Sequence, residues 1–175
     1  MKTDTPRTIH LSEYRPPAYL IDTVDLGVVL DAKATRVRAR LVVRPNPELA
    51  TAVQTPLRLD GEMLSLDRVA LNGVELQLKD YTRDVTSLTI VSPPRGPFTL
   101  EIDTTVAPED NKALQGLYRS RGVYCTQCEA QGFRRITYFI DRPDVLAVYT
   151  VRLEADVAEL KALVLRIASE LGVAP

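Results

Sequence analysis

Residues 36–44 alternate along nearly their whole length. Val37, Ala39, Leu41 and Val43 fall on one side of an extended chain, and Arg36, Arg38, Arg40 and Arg44 fall on the other, with Val42 breaking the pattern. A helix would scatter these side chains around its circumference, so the pattern demands a strand with one buried and one wet face. The same period recurs on both sides. Val24, Leu26, Val28 and Leu30 alternate with Asp25, Gly27 and Asp31, and Asp31-Ala32-Lys33-Ala34 supplies a turn, so 24–44 reads as an antiparallel hairpin. Pro45-Asn46-Pro47 closes it.

Further strands follow at short intervals. Leu57 and Leu59 lead into Asp60-Gly61, a hairpin-type turn. Leu64–Leu71 and the alternating run from Val74 to Leu78 flank Asn72-Gly73, the strongest short-range hairpin signal. Val85–Val91 is stopped by Ser92-Pro93-Pro94, and Phe98, Leu100, Ile102, Thr104 and Val106 form one more alternating face. Region 107–147 loses the alternation and gathers Tyr118, Tyr124, Phe133, Tyr138 and Phe139, and Tyr149, Val151 and Leu153 then resume it. The period changes after Asp156: Val157, Leu160, Val164, Ile167 and Leu171 are spaced as a helical stripe, with Asp156 as N-cap and Gly172 beyond the end. The reading is mainly β: an antiparallel saddle-like β-sandwich with a C-terminal α-helix. It divides into an arm at 1–13, a β domain at 14–156 and an amphipathic helix and tail at 157–175.

Composition excludes several functions. The 22 basic and 23 acidic residues nearly cancel, unlike the basic excess of a nucleic-acid binder. No run of about 18 apolar residues exists to span a membrane. The polar start lacks an apolar leader segment, so a cytoplasmic protein is expected. One histidine cannot furnish the two or three that catalytic zinc sites commonly draw on.

Three residue groups could carry chemistry. Cys125 and Cys128 form a Cys-x-x-Cys, which serves as a redox pair, as half a zinc site or as two reduced, part-buried thiols. The strand-and-loop flanks lack the βαβ setting of a redox motif, and only His10 remains as a further imidazole, so the thiol reading is favoured. Gln127 and Glu129 point the same way on an extended strand, where an amide and a carboxylate could receive a peptide group and an ammonium; the plain alternative is a solvated strand. The arginine stripe either binds phosphate or is a wet sheet face paired with acidic neighbours.

The blocks Lys112-Ala-Leu-Gln-Gly-Leu-Tyr118, Tyr124-Cys-Thr-Gln-Cys-Glu-Ala-Gln-Gly-Phe-Arg134 and Ile136-Thr-Tyr-Phe-Ile-Asp-Arg-Pro-Asp-Val-Leu-Ala147 resemble the bacterial aminopeptidase N family of zinc-dependent gluzincin aminopeptidases. Tyr14-Arg-Pro-Pro-Ala-Tyr19 and Pro56-Leu-Arg-Leu-Asp-Gly-Glu62 are similar to the start of the same enzymes. The resemblance implies an N-terminal saddle-shaped β domain that caps a catalytic domain and lends one loop to the active site. It implies that Glu129 helps bind the substrate α-ammonium, that Gln127 lies beside the substrate backbone, and that the Cys pair holds no metal. It implies zinc in the full-length family but no cofactor in this chain. The zinc-binding His-Glu-x-x-His and the Gly-x-Met-Glu-Asn exopeptidase motif are absent, and beyond residue 156 the likeness stops.

Three functions compete: a non-catalytic first domain of a peptide-degrading enzyme, a stand-alone interaction module, and a small redox protein. The interaction reading expects a homo-oligomer through Val157, Leu160, Val164, Ile167 and Leu171. By itself the chain is expected to bind no zinc tightly and to hydrolyse no aminoacyl-nitroanilide. Stoichiometric zinc in tag-free protein, or turnover abolished by a chelator, would contradict this.

Overall fold

A computed structural model describes residues 10–49 and 55–156. The expected helix over 157–171 and the first nine residues of the arm lie outside them. The longest alternating runs become the longest strands, β1 (Tyr19–Val29) and β2 (Thr35–Pro45). They are joined where the Asp31 carboxylate accepts the N–H groups of Lys33 and Ala34 at 2.8 and 2.9 Å. These two bonds hold the Asp31 carboxyl below its ordinary range. β3 (Leu57–Asp60), β4 (Ser65–Leu71), β5 (Val74–Glu75), β6 (Tyr81–Arg83), β7 (Ser87–Ile90), β8 (Phe98–Val106), β9 (Gly116–Ser120), β10 (Val123–Gln127) and β11 (Val148–Glu154) follow. The helical turns among the described residues are short 3-10 turns at Leu11–Glu13 and Phe133–Arg135.

One sheet runs β11-β1-β2-β8-β4-β5, a second β3-β7-β6, and β9 and β10 pair alone. The two larger sheets feed one hydrophobic cluster: Val24, Leu41, Leu100 and Ile102 from the six-stranded sheet, Leu57, Leu59, Leu88 and Ile90 from the three-stranded one. β8 alternates buried and half-buried along its whole length, as its sequence period requires. The opposite face of the large sheet carries the arginine stripe in ion pairs: Arg38 with Asp103 at 3.2 Å, Arg40 with Asp25 at 3.7 Å and Arg44 with Asp22 at 2.8 Å. The wet-face reading therefore describes this row, with Arg38, Arg40 and Arg44 each facing acid on a neighbouring strand and Arg36 opposite Val29 and Thr105.

Two expectations change. Asn72-Gly73 is a hairpin turn with both residues at positive φ, 50° and 81°, as the type I′ geometry needs. Asp60-Gly61 is not a hairpin: β3 pairs with β7, and the chain leaves for the other sheet. Gly61 is required there because the Tyr138 ring lies where its Cβ would be. The sheet is also not wholly antiparallel, since β11 lies parallel to β1. The long connection through 107–147 permits this, as parallel neighbours need a crossover of about a dozen residues or more.

Leu41 sits at the centre of β2 with no exposed surface, whereas Leu78 is 83% exposed. Leu41→Ala is expected to lower unfolding free energy by about 2–5 kcal/mol. Leu78→Ala is expected to change it by less than about 0.5 kcal/mol. Urea titration of both variants checks the contrast.

Candidate functional site

β9 and β10 form a hairpin whose two-residue turn, Arg121-Gly122, has φ of 49° and 82°. This type I′ turn matches the twist of its strands, and Gln127 lies at the end of β10 away from it. Gln127 is the last residue of β10, opposite Gly116, and it is exposed. Because the strand ends there, period-two alternation no longer governs Glu129. Glu129 instead begins a turn, also exposed, and the peptide following it is cis. The Gly132 N–H donates to the Cys128 carbonyl at 2.8 Å and closes the loop. Gly132 admits no side chain, because a Cβ would strike the Gln127 carbonyl oxygen and stand 3.2 Å from the Gly116 nitrogen. Gly116 faces it at φ 70° against Arg135. Two glycines thus let the loop fold flat onto the hairpin.

The far end of the loop is fixed by charge. Arg134 donates from its backbone N–H and its Nε to Asp141 Oδ2, at 3.1 and 2.9 Å, and from Nη2 to the Asp141 carbonyl at 2.9 Å. Asp60 stands 3.8 Å from the same guanidinium. Arg135 donates to Glu62 Oε2 at 2.6 Å, and the Glu62 N–H donates to the Arg134 carbonyl at 2.9 Å. Between these arginines and the core, the Phe133 ring meets Phe139 edge-on at 5.0 Å and Tyr149 at 5.7 Å. A cleft beside the loop is lined by Glu62, Gln115, Gln131, Arg134 and Arg135, among others, while Gln127 and Glu129 stand outside it.

Nearby, the segment preceding β1 is tied to the 141–144 turn. The Tyr14 hydroxyl donates to Asp144 at 2.9 Å and Arg142 donates to the Arg15 carbonyl at 2.9 Å. The hydrogen-bonded Arg142 guanidinium holds the Asp144 carboxyl below its ordinary range. Sequence reasoning missed the anchoring residues Asp60, Glu62, Arg134, Arg135 and Asp141. Their signal was available, since opposite charges sit in three of the recognised blocks, with Arg135 between two of them, but no spacing rule joins residues so far apart.

Cys125 and Cys128 are free and partly buried. Burial, and then the nearby Asp141 carboxylate, push the Cys128 thiol up. Burial therefore disfavours the thiolate at Cys128. Among the described residues no three His, Cys, Asp or Glu side chains converge to hold a metal ion, and His10 is exposed in the arm. The described side chains do not fit a zinc centre, and no zinc-dependent step follows from them.

Residues 22–164 match the Peptidase M1 N-terminal domain family. The chain belongs to that family. It is 47% identical over 156 residues to aminopeptidase N of Caulobacter vibrioides, covering 89% of this chain and 18% of that protein. Aminopeptidase N of Escherichia coli is 42% identical over 155 residues, 88% of this chain and 17% of its own length. Among solved structures, Legionella pneumophila aminopeptidase A in complex with aspartic acid superposes with a TM-score of 0.76 at 35% identity, over 82% of this chain and 17% of that one. The chain therefore spans less than a fifth of the length of these relatives. As a member of the family, it carries its β domain and a loop held in place by Arg134 and Arg135.

Arg134→Ala would leave Asp141, whose side chain is 8% exposed, without its cation. Unfolding free energy is expected to fall by about 3 kcal/mol, because breaking a buried pair strands the other charge. Thermal and urea melts check this, with exposed Arg38→Ala as a control expected within about 1 kcal/mol of the parent.

Proposed function

We propose that this chain is the non-catalytic first domain of a zinc aminopeptidase, with its two sheets forming the saddle that borders the active site. In this reading the parent enzyme removes N-terminal residues from peptides, and Glu129 receives the substrate α-ammonium. Gln127 offers its amide to the substrate backbone. The observation carrying the proposal is that both side chains are exposed at the end of a loop held by two glycines and two arginine anchors. A loop built this rigidly presents a carboxylate at a defined place, which is what recognition of an ammonium requires. The relatives are named aminopeptidases, and that supports the substrate class.

The chemistry assigned to the loop is binding. Glu129 accepts hydrogen bonds from the ammonium and orients the first residue of the peptide. Gln127 fixes the backbone beside it, and the free amine is thereby distinguished from an internal peptide nitrogen, which carries no charge. The domain supplies no nucleophile, general base or metal in this reading. A second reading, a stand-alone interaction module, is supported by the exposed apolar side chains Leu146, Val148, Val151 and Leu153. In that reading a homo-oligomer forms through Val157, Leu160, Val164, Ile167 and Leu171.

Grafting residues 14–156 onto the remaining domains of the Caulobacter vibrioides relative gives an assay for the first reading. Glu129→Gln in that graft is expected to lower kcat/KM for aminoacyl-nitroanilides roughly ten- to hundredfold, the worth of one charge-assisted hydrogen bond. An unchanged kcat/KM would defeat the assignment.

A further inference from the structure

The cleft beside the loop holds about 580 Å³, within the roughly 300–1,000 Å³ of small-ligand sites. Three segments build it. Ala113 and Gln115 come from the stretch before β9, Ala130 and Gln131 from the loop, and Glu62, Arg134 and Arg135 from the charged junction. The stretch before β9 is fixed from within by Asn111, which is 9% exposed. Its Nδ2 donates to the Gln115 and Leu117 carbonyls at 2.7 and 2.8 Å, and its Oδ1 accepts the Ala113 N–H at 3.1 Å. The junction is fixed by the pairs of Arg134 with Asp141 and Arg135 with Glu62. The cleft is therefore held open by bonds already made.

Strained backbone marks its margin. Leu114 lies between two lining residues and Met63 follows a third, and both sit in the left-handed region, at φ of 55° and 56°. That region is uncommon for side chains of this size. Neither gains full burial in return: they are 56% and 66% exposed. Arg135 Nη1 donates to the Met63 Sδ at 3.1 Å. A thioether is a weak acceptor, so an oxygen would serve that N–H better. Strained residues of this kind cluster at ligand clamps.

The lining selects the ligand. Phosphate recognition needs an unpaired cation, and both guanidiniums already face carboxylates. The carboxamides of Gln115 and Gln131 each offer donors and an acceptor, as a peptide group does. We propose that this cleft binds an extended peptide, with its backbone amides on Gln115 and Gln131 and its apolar side chains against Met63 and Leu114. For its role in the parent enzyme the proposal rests on the reading of Glu129 as the ammonium ligand. Ala130 and Gln131 follow Glu129 directly, and an extended peptide advances about 3.3 Å per residue. A peptide whose first residue lies on Glu129 thus meets the cleft with later ones.

NMR titration of the isotope-labelled whole chain with acetyl-Leu-Ala-Leu amide tests this. The probe has no ammonium, so it reads the cleft without Glu129. Saturable shifts are expected at the side-chain amides of Gln115 and Gln131 and at the Met63 methyl group. Gln115→Ala and Gln131→Ala should each raise the dissociation constant about fivefold, the worth of one neutral hydrogen bond. Leu114→Gly removes the apolar contact and relieves the strained φ, so it should weaken binding at least about threefold while the melting temperature is kept. No saturable shift at millimolar probe would overturn the proposal. So would affinity indifferent to both glutamine variants, or a loss of binding in Leu114→Gly that tracks a loss of melting temperature. Probe binding together with an unchanged kcat/KM in the Glu129→Gln graft would keep the cleft and remove only the ammonium assignment.

Discussion

The loop that carries Gln127 and Glu129 depends on one arginine. Arg134 bridges the Asp141 carboxylate and carbonyl and lies within ion-pair reach of Asp60 at the end of β3. A lone guanidinium taken out of water would be costly, and a carboxylate likewise. Here each charge is satisfied by the other and by backbone groups, which is the condition under which a poorly solvated pair holds a structure together. The planar fork of arginine meets a carboxylate and a carbonyl at once, a task that a lysine ammonium would perform less rigidly. Asp60 also exchanges backbone hydrogen bonds with Phe139, so the end of β3 is tied to the loop segment through the backbone as well as through charge.

Around that junction the glycines act as steric permissions. Gly61 makes room for the Tyr138 ring, and Gly132 for the Gln127 carbonyl. These are contacts of side chain and backbone with a bare Cα, and each brings an element of the core close to an element of the loop. The aromatic group of Phe133, Phe139 and Tyr149 fills the space beneath, so the loop rests on packed rings on one side and ion pairs on the other.

The large sheet divides its two faces by chemistry. The inner face joins a single hydrophobic cluster, and the outer face carries arginines neutralised by Asp22, Asp25 and Asp103. Cross-strand pairing sets one of these acids beside each of Arg38, Arg40 and Arg44. The departure from this order is β11, where the apolar layer continues past β1 into solvent.

Alternation at 24–44 and 98–106, with Asn72-Gly73, was enough to determine a mainly β domain, because side chains on a strand change face at every residue and one face must be buried. The quoted blocks around Cys125 and Asp141 were enough to point to the family. Helical spacing after Asp156 was equally plain, but it falls outside the described residues. Tertiary structure alone decided that β11 lies parallel to β1, that Asp60-Gly61 passes between sheets, and that Arg134 and Arg135 anchor the loop. Those features join Asp60 and Glu62 to Arg134, Arg135 and Asp141, residues some seventy to eighty positions apart. A local period or turn rule reaches only a few residues along the chain, whereas an ion pair or a ring against a glycine is set by where the folded backbone brings distant segments together.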